Sequence, residues 1–260
     1  MSDAAGRLPI VVLISGAGSN LQAIDGQARS GTLPVEIRAV ISDRPEAAGF
    51  AWAAAAGIAT VALLPRDYPD RAAFDRALAD AVERFEPSLV VLAGFMRILG
   101  AEFVDRFAGR LVNIHPSLLP KYRGLHTHRR ALEAGEREHG ASVHFVTREL
   151  DGGPVVIQAS VPVRDDDDEA SLAARVLAAE HRIYPECLRW FATGRLQWRD
   201  GVALLDGQPL NAPVVREAGD GIVGERFPHV EQPCPRRFEH AVHLTKRRTL
   251  VRKEHQPELA

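Results

Sequence analysis

Short, wholly apolar runs alternate with longer amphipathic stretches along the first two-thirds of this chain. Residues 10–14, 35–41, 58–64 and 89–93 are continuous apolar or β-rich runs, as strands buried on both faces require. Between them the apolar spacing becomes helical. In residues 70–85, Phe74, Leu78, Val82 and Phe85 recur at that spacing with charged residues opposite, and Asp70 stands where an N-cap is needed. Pro45 and Gly57 bracket an alanine-rich stretch, predicting a helix opened by the proline and closed by the glycine. Alternation of this kind predicts βαβ units on a parallel sheet.

The pattern then changes. Residues 142–147 and 154–163 predict two strands joined by a turn through Glu149, Asp151, Gly152 and Gly153, hence antiparallel or mixed pairing. A long helix follows, with Leu172, Val176, Ala179 and Ile183 on one stripe, continued by Trp190 and Phe191. The aspartates at 165–168 form a solvated helix start rather than a calcium loop, whose spacing and glycine are missing. The expected fold class is α/β: an open Rossmann-like sheet, parallel in its N-terminal half with mixed or antiparallel C-terminal strands.

Composition narrows the setting without naming a chemistry. At 260 residues, 46% hydrophobic and 25% charged, the chain is neither collagenous, disordered nor a coiled coil. A formal charge of −2 gives no general pull toward nucleic acid or anionic membrane. Cys187 and Cys234 are too few for a disulfide framework or a four-thiolate zinc site. The early apolar run is far shorter than the roughly 20 residues a bilayer span needs, and polar residues follow it at once. The expectation is a soluble, cytoplasmic protein with no membrane or nucleic-acid partner, monomeric or homodimeric. Residues 211–260 differ from the rest: five prolines, no sustained periodicity, and seven basic residues against one acidic within 236–253. The expected organisation is a folded domain over 1–210 and a basic, disordered extension over 211–260, with an RNA-binding arm as the alternative for the tail.

Two loops carry candidate chemistry. Gly16-Ala17-Gly18-Ser19-Asn20 follows the first buried strand and precedes a helix, where free N–H groups and the helix dipole favour an anion. Leu21 stands where a dinucleotide fingerprint needs its third glycine, and no lysine follows for a P-loop. A single phosphate monoester fits best. A ligand-free tight turn is the bland alternative, and Asp43 keeps a dinucleotide site open as another. In the second loop, Asn113 and His115 lie two positions apart on one strand and so face the same way, while Pro116 ends the strand behind them. Two neutral donors at a carboxyl strand edge, one titratable near pH 7, suit an oxyanion and a proton transfer. Asp151, in a glycine-rich turn, is the candidate carboxylate to hold the imidazolium. No Gly-x-Ser-x-Gly elbow or suitably placed cysteine offers a nucleophile, so in acyl chemistry the nucleophile belongs to the substrate. His126 and His128 resemble a metal pair but lack a third ligand, and no metal is expected.

Six stretches carry a resemblance. They are residues 11–24 (VVLISGxGSNLQAI), 92–99 (LAGFMRIL), 113–120 (NIHPSLLP), 139–147 (HGASVHFVT), 150–154 (LDGGP) and 180–185 (EHRIYP). Together they resemble the phosphoribosylglycinamide formyltransferases, the folate-dependent enzymes of purine synthesis, in order over residues 9–210. The resemblance implies transfer of the formyl group of 10-formyltetrahydrofolate, as co-substrate, to the amine of glycinamide ribonucleotide. It implies Asn113, His115 and Asp151 as the catalytic set, with Gly18, Ser19 and Asn20 on the substrate phosphate and Glu180 on the ribose. Arg71, Met96, Arg97, Ile98, Leu99 and Asn113 form the implied folate site, with Ser142 and His144 supporting the pocket. A formyltetrahydrofolate hydrolase or another formyltransferase of the same fold shares the Asn-x-His and the later Asp. A non-catalytic nucleotide-binding module is the reading from a different class.

Overall fold

The computed structural model describes residues 6–217. They belong to a unit ending at Asp220, and a second unit, Gly221–Ala260, lies outside the described residues. The expectation of a disordered basic tail falls almost wholly on that undescribed part.

Strands β1 (Leu8–Ile14), β2 (Val35–Ser42), β3 (Thr60–Ala62), β4 (Leu89–Leu92) and β5 (Leu111–His115) pair in parallel. Strands β6 (Glu138–Phe145) and β7 (Val155–Pro162) run antiparallel, β6 against β5 and β7 against β6. A last strand, β11 (Val214–Glu217), adds to β7 in parallel and completes the order β11-β7-β6-β5-β4-β1-β2-β3. The folded unit therefore runs past the boundary expected at residue 210. Backbone pairing along β7 holds this segment in place of a run of apolar side chains, so hydrophobic periodicity does not reveal it.

Helices cover both faces. α1 (Ser19–Arg29), α2 (Ala48–Ala55) and α6 (Glu169–Ala192) pack their apolar residues onto one face, with Val12, Val91, Val112 and Val143 beneath them. α3 (Arg71–Glu83) and α4 (Ala101–Arg106) cover the other, over Val11, Leu13, Val90 and Leu111. Strands buried from both sides explain the unbroken apolar runs. A short helix α5 (Thr127–Glu133) precedes β6. Strands β8 (Leu196–Arg199), β9 (Val202–Leu205) and β10 (Gln208–Pro209) form a separate antiparallel sheet, whose Trp198 packs on Phe145.

Side-chain caps open two of the helices. Asp70 accepts from the Ala73 N–H at 2.7 Å, and Asp168 with Ser171 makes a reciprocal capping box at the start of α6. Asp167 binds both guanidinium nitrogens of Arg175 at 2.7 Å. Several boundaries differ from expectation; β6, expected over 142–147, runs over Glu138–Phe145. Pro45 does not open α2: it sits inside a turn closed by the Ala47 N–H on the Arg44 carbonyl, and Ala47 is the N-cap. Residues 58 and 59 are outside β3, because Gly57 and Ile58 donate to the Ala54 and Ala53 carbonyls and finish the helix in a Schellman motif. Across the sheet, Tyr184 of α6 is fully buried and donates to the carbonyls of Leu92 (2.9 Å) and Val112 (3.2 Å), beneath the tips of β4 and β5.

Candidate active site

The strand order turns back at β1: the chain leaves it toward β2 on one side and returns to β4 on the other. The carboxyl edge beside such a switch is the usual ligand crevice of an open α/β sheet. Here the edge carries the glycine loop after β1, residues 94–100 after β4, and the end of β5.

Antiparallel pairing assembles the polar centre. Asn113 lies opposite His144 and His115 opposite Ser142, so four polar residues from two strands meet on one sheet face. His144 Nδ1 lies 2.8 Å from the Phe145 carbonyl, which only accepts, so this nitrogen carries the proton. Burial pushes the His144 pKa down and keeps the ring neutral. Its Nε2 then accepts from Asn113 Nδ2 at 3.1 Å and fixes the carboxamide. Ser142 donates to the Ser117 carbonyl (2.6 Å) and accepts from the Leu119 N–H and from Gln158, bracing the chain after β5.

The turn between β6 and β7 delivers the carboxylate. Asp151 takes a left-handed backbone (φ 47°), which aspartate tolerates better than most residues. Its Oδ2 is 3.5 Å from His115 Nδ1 and accepts from the Gly124 N–H at 2.9 Å; its Oδ1 is 3.7 Å from His144 Nε2. A Cβ on Gly153 would run into the Phe145 carbonyl, so the tight return of this turn needs glycine there. The other His115 nitrogen, Nε2, donates to the Tyr122 carbonyl at 3.0 Å. The His115 imidazole and the Asp151 carboxylate are thus in near contact, and the Asn113 carboxamide joins them through His144. Neither Tyr122 nor Gly124 was foreseeable from spacing, since both act through backbone atoms.

A cleft opens beside this centre, lined by Phe95, Ile98, Leu99 and Leu150 on its apolar side and by Asn113 and Asp151 on its polar side. Arg97 and His144 also line it. Two residues of the expected folate set are not in its wall. Met96 is 66% exposed, and Arg71 points to Asp75 at 3.6 Å.

The glycine loop forms a second, differently built site. Gly18 is the N-cap of α1 at φ 74°, with no side-chain cap on the first-turn N–H groups. A Cβ on Gly49 would lie 2.7 Å from the Gly18 Cα, so the start of α2 abuts the loop backbone to backbone. Asn20 does not offer its amide to an anion: Nδ2 donates to Glu180 at 2.7 Å, across 160 residues. Its Oδ1 is buried and without a partner. Burial pushes the Glu180 carboxyl up to about 7, a shift the Asn20 bond opposes. Asp43 is also committed, accepting from Ser15 Oγ at 2.6 Å in a buried contact, which removes the carboxylate a dinucleotide site would have used for ribose. His128 pairs with His139 (3.2 Å), and His126 is the left-handed N-cap of α5. Among the described residues no three His, Cys, Asp or Glu side chains converge on a metal position, and no helix is long and apolar enough to cross a membrane.

Residues 8–188 match the sequence profile of the formyl transferase family. Over 201 residues the chain is 56% identical to the phosphoribosylglycinamide formyltransferase of Escherichia coli (strain K12), covering 77% of this chain and 95% of that protein. The Haemophilus influenzae protein of the same name is 46% identical over the same shares. The solved structure of phosphoribosylglycinamide formyltransferase from Coxiella burnetii, in complex with CHES, superposes with a TM-score of 0.77 at 51% identity, over 80% of this chain and 99% of that one.

Proposed function

Because the chain belongs to the formyl transferase family, we propose that it carries the formyl group of 10-formyltetrahydrofolate to the amine of glycinamide ribonucleotide. The products are formylglycinamide ribonucleotide and tetrahydrofolate, a step of purine synthesis that belongs in the cytoplasm. Formyl transfer itself is the chemistry of the family. The observation that carries the assignment of roles is the convergence of Asn113, His115 and Asp151 beside a cleft with an apolar wall.

In this reading the substrate amine attacks the formyl carbon directly. The carbonyl electron pair moves onto oxygen, which takes hydrogen bonds from Asn113 Nδ2 and from His115 Nε2–H in place of the Tyr122 carbonyl. Asp151 holds the His115 ring from its Nδ1 side. Collapse reforms the carbonyl and breaks the bond to the folate N10. The attacking nitrogen loses a proton and N10 gains one, with the Asp151–His115 pair as relay through water. Phe95, Ile98, Leu99 and Leu150 supply a wall for the flat pterin; Arg97 in the lining, and Arg71 outside it against Asp75, supply positive charge for the folate carboxylates.

The phosphate of the nucleotide sits on the uncapped first turn of α1 at Gly18 and Ser19. Glu180, steadied by Asn20, accepts from the ribose hydroxyls. The experiment is an incubation of the protein with both substrates, following folate release. Release that requires the amine supports the proposal; release without it indicates a hydrolase, and none at all indicates a binding module.

A further inference from the structure

Residues 94–100 carry the apolar wall of the cleft, yet they form no helix or strand of their own. Two buried carboxylates hold this segment at its ends. At the near end the Met96 N–H donates to Ser15 Oγ at 2.9 Å, and the same hydroxyl donates to Asp43 Oδ1 at 2.6 Å. At the far end the Gly100 N–H donates directly to Asp75 Oδ2 at 2.8 Å. Ser15, Asp43 and Asp75 are 3%, 9% and 5% exposed, so the accepting side chains of these bonds are themselves shielded from water.

Each carboxylate also faces an arginine of the proposed folate set. Asp43 Oδ2 lies 3.9 Å from Arg97 Nη1, whose guanidinium sits over the Phe74 ring at 5.0 Å; Asp75 Oδ2 lies 3.6 Å from Arg71 Nε. Asp75 therefore faces both a backbone N–H of the segment and a cation, and Asp43 does the same with Ser15 between it and the N–H. The two arrangements come from different elements, the end of β2 and the middle of α3, yet act on the same seven residues.

We propose that Ser15, Asp43 and Asp75 are positioning residues for the formyl donor, a two-ended frame that holds residues 94–100 and the Arg71 and Arg97 side chains in the conformation that receives it. This rests on the folate reading of the cleft. None of the three touches the reacting atoms. A carboxylate bonded to a backbone N–H stiffens a loop without a helix around it, and a pre-ordered loop loses less freedom when the ligand binds.

The test uses the full chain with both substrates varied in turn. Ser15→Ala and Asp75→Ala are expected to raise KM for the formyl donor about tenfold, with KM for the nucleotide and turnover at saturation within about threefold. Ser15→Thr and Asp75→Asn keep an acceptor for the backbone N–H and are expected to restore most of the loss. If Asp75→Ala does not fold, Ser15→Ala with its threonine rescue decides. Unchanged donor KM in Ser15→Ala overturns the proposal, as does an equal rise in both KM values, which would mark a general loss of structure. Failure of the wild-type protein to use a formyl-folate would instead remove the underlying reading.

Discussion

The two halves of the crevice are built on opposite principles. Around β5 and β6 the polar side chains satisfy one another: Asn113 is held by His144, His144 by a backbone carbonyl, and Asp151 by the Gly124 N–H beside His115. At the glycine loop, groups are left waiting. Among the described residues, the first turn of α1 lacks a side-chain cap, Asn20 Oδ1 has no partner, and Glu180 is a buried acid without a cation. The first region resembles a site arranged for a transition state, whose dipoles must be in place beforehand. The second resembles a site completed by its ligand. In the proposed reading, chemistry and binding are separated along one sheet edge.

The sharpest way to break this contrast is at the polar centre. His115→Ala and Asp151→Asn are each expected to reduce turnover about 100-fold or more, with nucleotide binding by titration calorimetry unchanged. Near-wild-type rates in either would remove that residue from the proposed chemistry. The glycine loop should respond in the other parameter. Gly49→Ala forces a Cβ against the Gly18 backbone and is expected to raise KM for the nucleotide tenfold or more while lowering the melting temperature. A normal KM would show that the loop tolerates displacement.

Glu180→Gln gives a smaller, pH-dependent effect with a definite sign. The folded state holds the Glu180 proton up to about 7, whereas the unfolded carboxyl releases it near 4.5. Between those values the folded state binds more protons, so stability falls as pH rises, by on the order of 3 kcal/mol in all. The variant is expected to melt a few degrees above the wild type at pH 8, to show no such gain at pH 4, and to bind the nucleotide about tenfold more weakly. Parallel melting curves across pH would show that Glu180 does not titrate there. The smallest effect is expected from ending the chain after Glu217, which retains β11 and should leave specific activity within twofold; ending it before Val214 strips β7 of its neighbour and should lower the melting temperature.

What could be read from sequence was what depends on local spacing. Leu111–His115 forms a strand that stops before Pro116 as expected, and Asn113 and His115 share a face as the two-residue period requires. The Asp70 cap and the α6 stripe follow from the same local rules. Contacts set by chain reversal were out of reach. That Asn113 meets His144 depends on antiparallel register, and that Asp151 reaches His115 depends on a turn 36 residues later in the chain. Asn20 illustrates the limit most clearly. Its place in a loop suggested an anion donor, but the partner it finds is 160 residues away, and only the packing of α1 against α6 brings the two together.

Glu180 and Tyr184 stand four positions apart on α6 and so project from the same side of the helix, about 6 Å along its axis. One reaches the glycine loop through Asn20, and the other hangs from the carbonyls of Leu92 and Val112. In the proposed reading, a single helical turn is thereby the gauge between donor and acceptor pockets. On that reading a shift of α6 would misalign amine and formyl carbon together, even with every group at the reacting centre intact.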